Sequence, residues 1–361
     1  MSSLVISAWS AITAYGVGNT PLRDGLAQGR DAVAPLDRDV HDVPYRRAAL
    51  VPDFTAARYL GKKGVRTMDR VTALAVTAVG GLVETVAEEH AERSEQTALV
   101  LGTGSGSVQS IMDFTRDSLS GERPYHVEAA RFPNTVMNRA AGQSAIWHRI
   151  KGPNVTVAGG SLTGLLALSH ALRLHRGGHC ARVFCGAAEE FSTQRAWLEW
   201  HGRADEDREA PLGEGAAVLL VETAEDAAAA GRTALARVGA VRFRAHRKAD
   251  GLREALTGCV REALDTAGVA PADVRYVAPL GGGGKLAAEE EQAVTDALPG
   301  ARPEWTRLSE RVGDTSAAAT ALQLAAVLAT AGERGLGPGE AALVTGVQRD
   351  GQVGCAVLAG S

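Results

Sequence analysis

No histidine follows His246 in this chain of 361 residues, although nine are present at or before that position. The last third therefore has no imidazole for acid–base work. The four cysteines, Cys180, Cys185, Cys259 and Cys355, show no CxxC spacing, which excludes a zinc ribbon or a disulfide framework and reads as buried reduced thiols. Lysine is scarce and positive charge rests almost wholly on arginine. With a net charge of −4 there is no basic stripe of the kind nucleic-acid binding needs. No apolar run approaches a membrane span, and the N-terminus lacks a basic segment before a long apolar core. A cytoplasmic, soluble protein with no membrane or nucleic-acid partner is expected. Short-period repeats and low-complexity linkers are missing as well.

What is present is an alternation of short apolar strands with Ala-rich helical stretches, at 45 % hydrophobic residues overall. Strands are predicted at Leu4–Ser7, Thr97–Leu101, Val155–Val157, Arg182–Cys185, Ala216–Val221, Thr233–Val241, Val274–Pro279, Ala341–Thr345 and Cys355–Leu358. Helices are predicted over Met68–Glu88, Ser105–Leu119, Thr163–His175, Gly251–Ala267, Ala287–Leu298 and Ser316–Ala331. This is the pattern of an α/β protein with a mixed or parallel sheet, large enough for two fused halves. The Ala- and acid-rich segment near Glu225–Gly231 places their join, giving halves of residues 1–230 and 231–361.

One junction invites chemistry. In "VTVAGGSLTGLLALSHALRL" (residues 155–174) a β-branched strand runs through two glycines to Ser161 and then into an apolar helix. A side chain there is pushed toward a cavity, beside the unpaired N–H groups of a helix N-terminus. Ser161 reads either as a nucleophile or as a small polar occupant. A serine nucleophile needs a paired base, and Thr163 breaks the GxSxG elbow of hydrolases. Two glycine-rich stretches carry no cofactor. "GTGSGSVQ" (102–109) misses the GxGxxG spacing, and "PLGGGGKL" (279–286) has Leu286 where a phosphate loop needs Ser or Thr.

The segment "RFPNTVMNRAAGQSAIWHRIKGPNVTVAGGSLTGLLAL", with "ALVLGTGSG", "RVFCGAAEEFS", "APLGEGAAVLLVE" and "AAATALQLAAVLAT", resembles the β-ketoacyl synthases of fatty-acid and polyketide assembly. The resemblance covers nearly the whole chain. It implies the thiolase fold: two similar α/β halves stacked as an α-β-α-β-α sandwich, in a dimer. The catalytic positions depart from the family. Its nucleophilic Cys falls at Ser161. The His of its HGTGT-type loop falls at Leu280, in "YVAPLGGGGKL". The Lys and His of its KSNIGH-type segment fall at Ser309 and Asp314, in "LSERVGDTSAAA". The Phe- and Gly-rich gating loop is replaced by "TGVQRDGQVGC". Claisen condensation needs a thiolate, an oxyanion site and a means to stabilise the carbanion left by CO₂ loss. None stands at the expected place.

A kept fold with an erased site resembles the chain length factors, the non-condensing partners of ketosynthases in type II polyketide systems, polyene-forming ones included. Ser161 is a departure, since those proteins commonly carry Gln there. The resemblance implies a heterodimer with a condensing ketosynthase, contact with acyl carrier protein mainly through that partner, and no cofactor beyond the carrier's phosphopantetheine. It also implies an acyl-chain tunnel lined by Met112, Thr115 and Leu119 of "SVQSIMDFTRDSLS", whose spacing puts them on one helical face. By spacing alone that stripe reads as ordinary core.

Two alternatives stay open. One is an acyltransferase or thioesterase using Ser161, and the other a homodimer that binds acyl groups without turnover. "RFRAHRK" (242–248) is either a contact for an acidic carrier protein or the solvated end of a strand. "LEWHGRADEDRE" (198–209) reads as a charged loop, and His148 as structural.

Overall fold

The structure, a computed structural model, describes residues 3–247, 251–281 and 283–360, with the side chain of Glu206 left aside. Lys248 of the arginine-rich stretch and Gly282 of "PLGGGGKL" lie outside the described residues.

Nine long strands carry the fold: β1 (Leu4–Thr13), β2 (Thr97–Gly102), β3 (Asn154–Val157), β4 (Arg182–Glu189), β5 (Gly215–Thr223), β6 (Ala236–Ala245), β7 (Val274–Ala278), β8 (Ala341–Val347) and β9 (Gln352–Ala359). With the short strand Glu304–Trp305 they form one sheet in the order 304–305, β7, β8, β9, β6, β1, β5, β4, β2, β3. The first half reads first-fifth-fourth-second-third from β1, and the second half repeats that order from β6. The strand directions repeat too, with two antiparallel pairs followed by two parallel ones in each half. The halves meet where β1 pairs with β6 over Val5–Arg237 and Ile6–Ala236. Apart from β3 at the sheet's end and the outer part of β6, these strands are largely buried, as their continuous apolar runs require.

The helices make the layers. The central pair, α4 (Thr163–Arg176) and α8 (Ala319–Ala331), pack on each other between the halves. Helix α8 is apolar all round and almost wholly buried, as a sandwiched helix should be. Gly164 permits the contact, since a Cβ there would sit 2.2 Å from the backbone nitrogen of Ala321. On one outer face α1 (Arg70–Thr85) and α3 (Arg139–His148) share a core with Ala8, Ile12 and Leu220. On the other, α6 (Leu252–Ala267) and α7 (Gly284–Ala297) share one with Val277, Leu343 and Val357. Two further helices matter for the site, α2 (Val108–Ser120) and α5 (Thr193–Gly202).

Some expectations shift. The helix expected to Glu88 stops at Thr85 and resumes as a short turn, Ala87–His90. The charged stretch from Leu198 is not all loop: Leu198–Gly202 is the end of α5, capped at its start by Ser192 accepting from Arg195 N. His148 Nε2 donates to the Val76 carbonyl at 2.8 Å, tying α3 to α1, and burial holds its pKa below the ordinary imidazole value.

Candidate functional site

Strand β3 ends at Val157, and the chain turns through Gly159 and Gly160 into a single 3-10 turn before α4. Thr163 fixes the turn: its hydroxyl donates to Gly160 O at 2.7 Å and accepts from Gly159 N at 2.9 Å. Gly160 has φ +51°, a conformation that favours glycine, and a Cβ there would also displace the end of the Gln348 side chain, whose Oε1 would lie 2.7 Å away. Ser161 follows, half-buried, and donates its Oγ proton to Val347 O at 3.1 Å.

A cavity of about 500 Å³ opens here, lined among others by Ser161, Leu280, Ser309 and Asp314. The structure thus brings together four positions spread over more than 150 residues of sequence. Each has ordinary structural partners. Leu280 packs with Leu286 against the outer core of α6 and α7. The backbone N–H groups of Leu280 and Gly281 donate to the buried Glu290 carboxylate at 2.9 and 3.0 Å, and the Thr345 hydroxyl donates to it at 2.7 Å. A phosphate loop would leave such groups free. Ser309 Oγ donates to Leu280 O. Asp314 Oδ2 accepts from Arg203 at 2.5 Å and Oδ1 accepts from Ser316 N at 2.7 Å. The second contact holds Ser316 at φ +45°.

Sequence reasoning missed the residues that frame the mouth. Helix α5 supplies Leu198 and Glu199, and Arg203 just after it bonds Glu199 as well as Asp314. Gln348 reaches across from the β8–β9 turn and donates to Gly159 O at 2.5 Å. Arg349 pairs with Asp207 at 2.8 Å. An Arg–Asp pair 111 residues apart leaves no local trace in a sequence. Among the described residues, the side chains lining the cavity include no histidine, cysteine or lysine. The Ser161 hydroxyl donates to the Val347 backbone carbonyl and not to a side-chain base.

Met112, Thr115 and Leu119 lie elsewhere, on α2, and none lines this cavity. The stripe is not core in the single chain: Met112 is 44 % and Leu119 82 % exposed, and Thr115 is exposed too. Tyr125, Phe132, Met137 and Ile146 are further exposed large hydrophobics between this helix and β3. Strand β3 itself is an edge strand with one neighbour, β2. Exposed large apolar side chains and an open strand edge are each features found at association surfaces.

The N-terminus of α2 is held from inside. Ser107 caps it by accepting from Ser110 N, and donates to the buried Glu190 carboxyl at 3.0 Å. Desolvation, and after it the nearby Asp69 charge, push Glu190 up to about 8. The folded protein thus binds a proton that the unfolded chain releases near 4.5, and Glu190 costs stability increasingly as pH rises between those values. Glu190→Gln, which mimics the protonated acid, is expected to stabilise by on the order of 3 kcal/mol at about pH 8 and by little near pH 4.5. Denaturant titrations at the two pH values check this.

Among the described residues no helix is long and apolar enough to cross a membrane, and no group of three or more His, Cys, Asp or Glu is placed to hold a metal ion.

Comparison with known proteins places these features. The family profile described as "Beta-ketoacyl synthase, N-terminal domain" matches residues 1–227. The 3-oxoacyl-(acyl-carrier-protein) synthase 2 of Vibrio cholerae is 27 % identical over 247 residues, 62 % of this chain, and the match spans 58 % of that protein's length. The Rhizobium meliloti enzyme of the same name is 26 % identical over 311 residues, 77 % of this chain and 73 % of its own. Among solved structures, the ishigamide ketosynthase/chain length factor superposes with a TM-score of 0.90 at 38 % identity, covering 99 % of both chains. A type II polyketide ketosynthase in complex with its acyl carrier protein, bound to the hexaketide, superposes at 0.82 over the full length of both chains. Its 16 % identity speaks to the fold alone.

Proposed function

The chain belongs to the β-ketoacyl synthase family, and from that premise we propose that it is a non-condensing, chain-length-factor-like subunit. It pairs with a condensing ketosynthase and walls the tunnel that receives the growing acyl chain in polyketide or polyene assembly. One observation carries the reading. The cavity at the strand–helix junction is intact, yet among the described residues Ser161, Leu280, Ser309 and Asp314 line it without a thiol or an imidazole. Such a site has no thiolate to take an acyl group and no imidazole to stabilise the carbanion left by CO₂ loss. Condensation then belongs to the partner.

Similarity to a ketosynthase/chain length factor at 38 % identity over the whole chain supports the pairing. The outward-facing stripe of α2 and the open edge of β3 supply a surface for it. Met112, Thr115 and Leu119 on that surface are the residues assigned to the tunnel. Acyl carrier protein delivers the substrate on its phosphopantetheine, reaching the complex mainly through the ketosynthase, and this chain adds no cofactor of its own.

A second reading rests on the Ser161 hydroxyl lining the cavity: an acyltransferase or thioesterase working through a seryl ester. Intact mass separates the two. Exposed to an acyl thioester, the chain is expected to gain no acyl mass, and Ser161→Ala in the paired complex keeps the condensation rate within about twofold. An acyl adduct that disappears in Ser161→Ala establishes the second reading instead.

A further inference from the structure

Cys259 on α6 and Cys355 on β9 are 96 residues apart in sequence, yet their Sγ atoms lie 3.7 Å apart. Both are fully buried, in the same outer core. Cys355 Sγ also points at Cys259 O, 3.6 Å away. A disulfide needs about 2.05 Å, so the sulfurs must approach by roughly 1.6 Å, a distance that side-chain rotation and a small shift of α6 against β9 supply.

The surroundings single this pair out. Arg244 lies across the helix backbone beside it: a Cβ on Gly258 would stand 2.3 Å from the Arg244 Nη1. An open surface cleft lined by Arg244, Arg253, Thr257, Gly258 and Arg261 reaches the two residues before Cys259. The Cys355 hydrogen bond holds the Cys259 thiol below its ordinary pKa against burial, with Arg244 assisting. Burial alone pushes Cys180 and Cys185 up to about 11 and about 12. Cys259 adjoins the cleft residues Thr257 and Gly258, so it is the sulfur an oxidant entering there meets first and Cys355, 3.7 Å away, the one that resolves.

We propose that Cys259 and Cys355 form an oxidisable pair that a small thiol oxidant converts into a cross-link between α6 and β9. With diamide as oxidant, the Cys259 thiolate adds to the N=N bond. The Cys355 sulfur then attacks Cys259 Sγ, forming the S–S bond and expelling the hydrazine. Both thiol protons and two electrons end on the former azo nitrogens. The bond closes a loop between two distant segments of the second half, which raises its resistance to unfolding.

The test uses the folded chain treated with diamide, quenched by an alkylating reagent, then unfolded, alkylated again and mapped by peptide mass. The expected result is one linked peptide pair containing Cys259 and Cys355, with Cys180 and Cys185 alkylated only after unfolding. A melting temperature several degrees higher accompanies it, reversed by dithiothreitol. Cys185→Ser keeps the link and Cys355→Ser abolishes it. The wild-type map decides the matter even if a variant fails to fold. Four alkylated cysteines after complete treatment, an oxidant adduct left on Cys259 alone, or a link through Cys180 or Cys185 overturns the proposal.

Discussion

In a complex with a condensing ketosynthase, Met112→Trp and Thr115→Phe are each expected to shorten the product by at least one extension unit while condensation continues. Both residues sit on the outward face of α2, away from the cavity at Ser161. A larger side chain there costs the isolated chain little, because the face is exposed. In the complex the same bulk projects into whatever the face covers, and under the proposed function that is the far end of the acyl tunnel. Chain-length analysis of the products, alongside the yield of complex, checks this. Unchanged length in both variants contradicts the tunnel assignment. Loss of complex with unchanged product length in the remainder shows a face that binds without measuring.

Glu214→Ala is expected to destabilise the fold by about 3–5 kcal/mol, enough to leave most of the chain unfolded or insoluble. Glu214 is fully buried in the "PLGEGAAVLLVE" segment and accepts four hydrogen bonds. Two come from Arg70 at the start of α1, at 2.6 and 2.5 Å. The others come from Val51 N at 2.9 Å and Phe191 N at 3.1 Å. One carboxylate thereby ties the N-terminal loops, α1 and the end of β4 to β5. Alanine leaves a guanidinium and two buried N–H groups without their acceptor. Glu214→Leu with Arg70→Met is expected to recover only part of the loss, since the orphaned Val51 and Phe191 N–H groups remain. Denaturant unfolding followed by circular dichroism measures both.

The buried strands stand where their apolar, β-branched runs put them, because a fully buried strand writes its environment into consecutive residues. Helices α3 and α5 escaped notice because both are short, mixed in polarity and half-exposed. Ser192, an N-cap residue before α5, was the signal that could have found the second. The resemblance supplied the four cavity positions; spacing alone marked only Ser161. Their present partners were illegible: Arg203 meets Asp314, Gln348 meets Gly159, and Glu290, inside the polar run "AAEEEQ", turns inward to hold the Leu280 loop. Each is a tertiary pairing that the local sequence of neither segment specifies.

The central claim is that this chain is one half of a condensing pair, and native mass spectrometry of the chain co-expressed with the ketosynthase of its own pathway tests it most directly. The account predicts a one-to-one heterodimer, with malonyl condensation dependent on the partner's nucleophile and unaffected by Ser161→Ala. A homodimer of this chain that ignores the ketosynthase contradicts it.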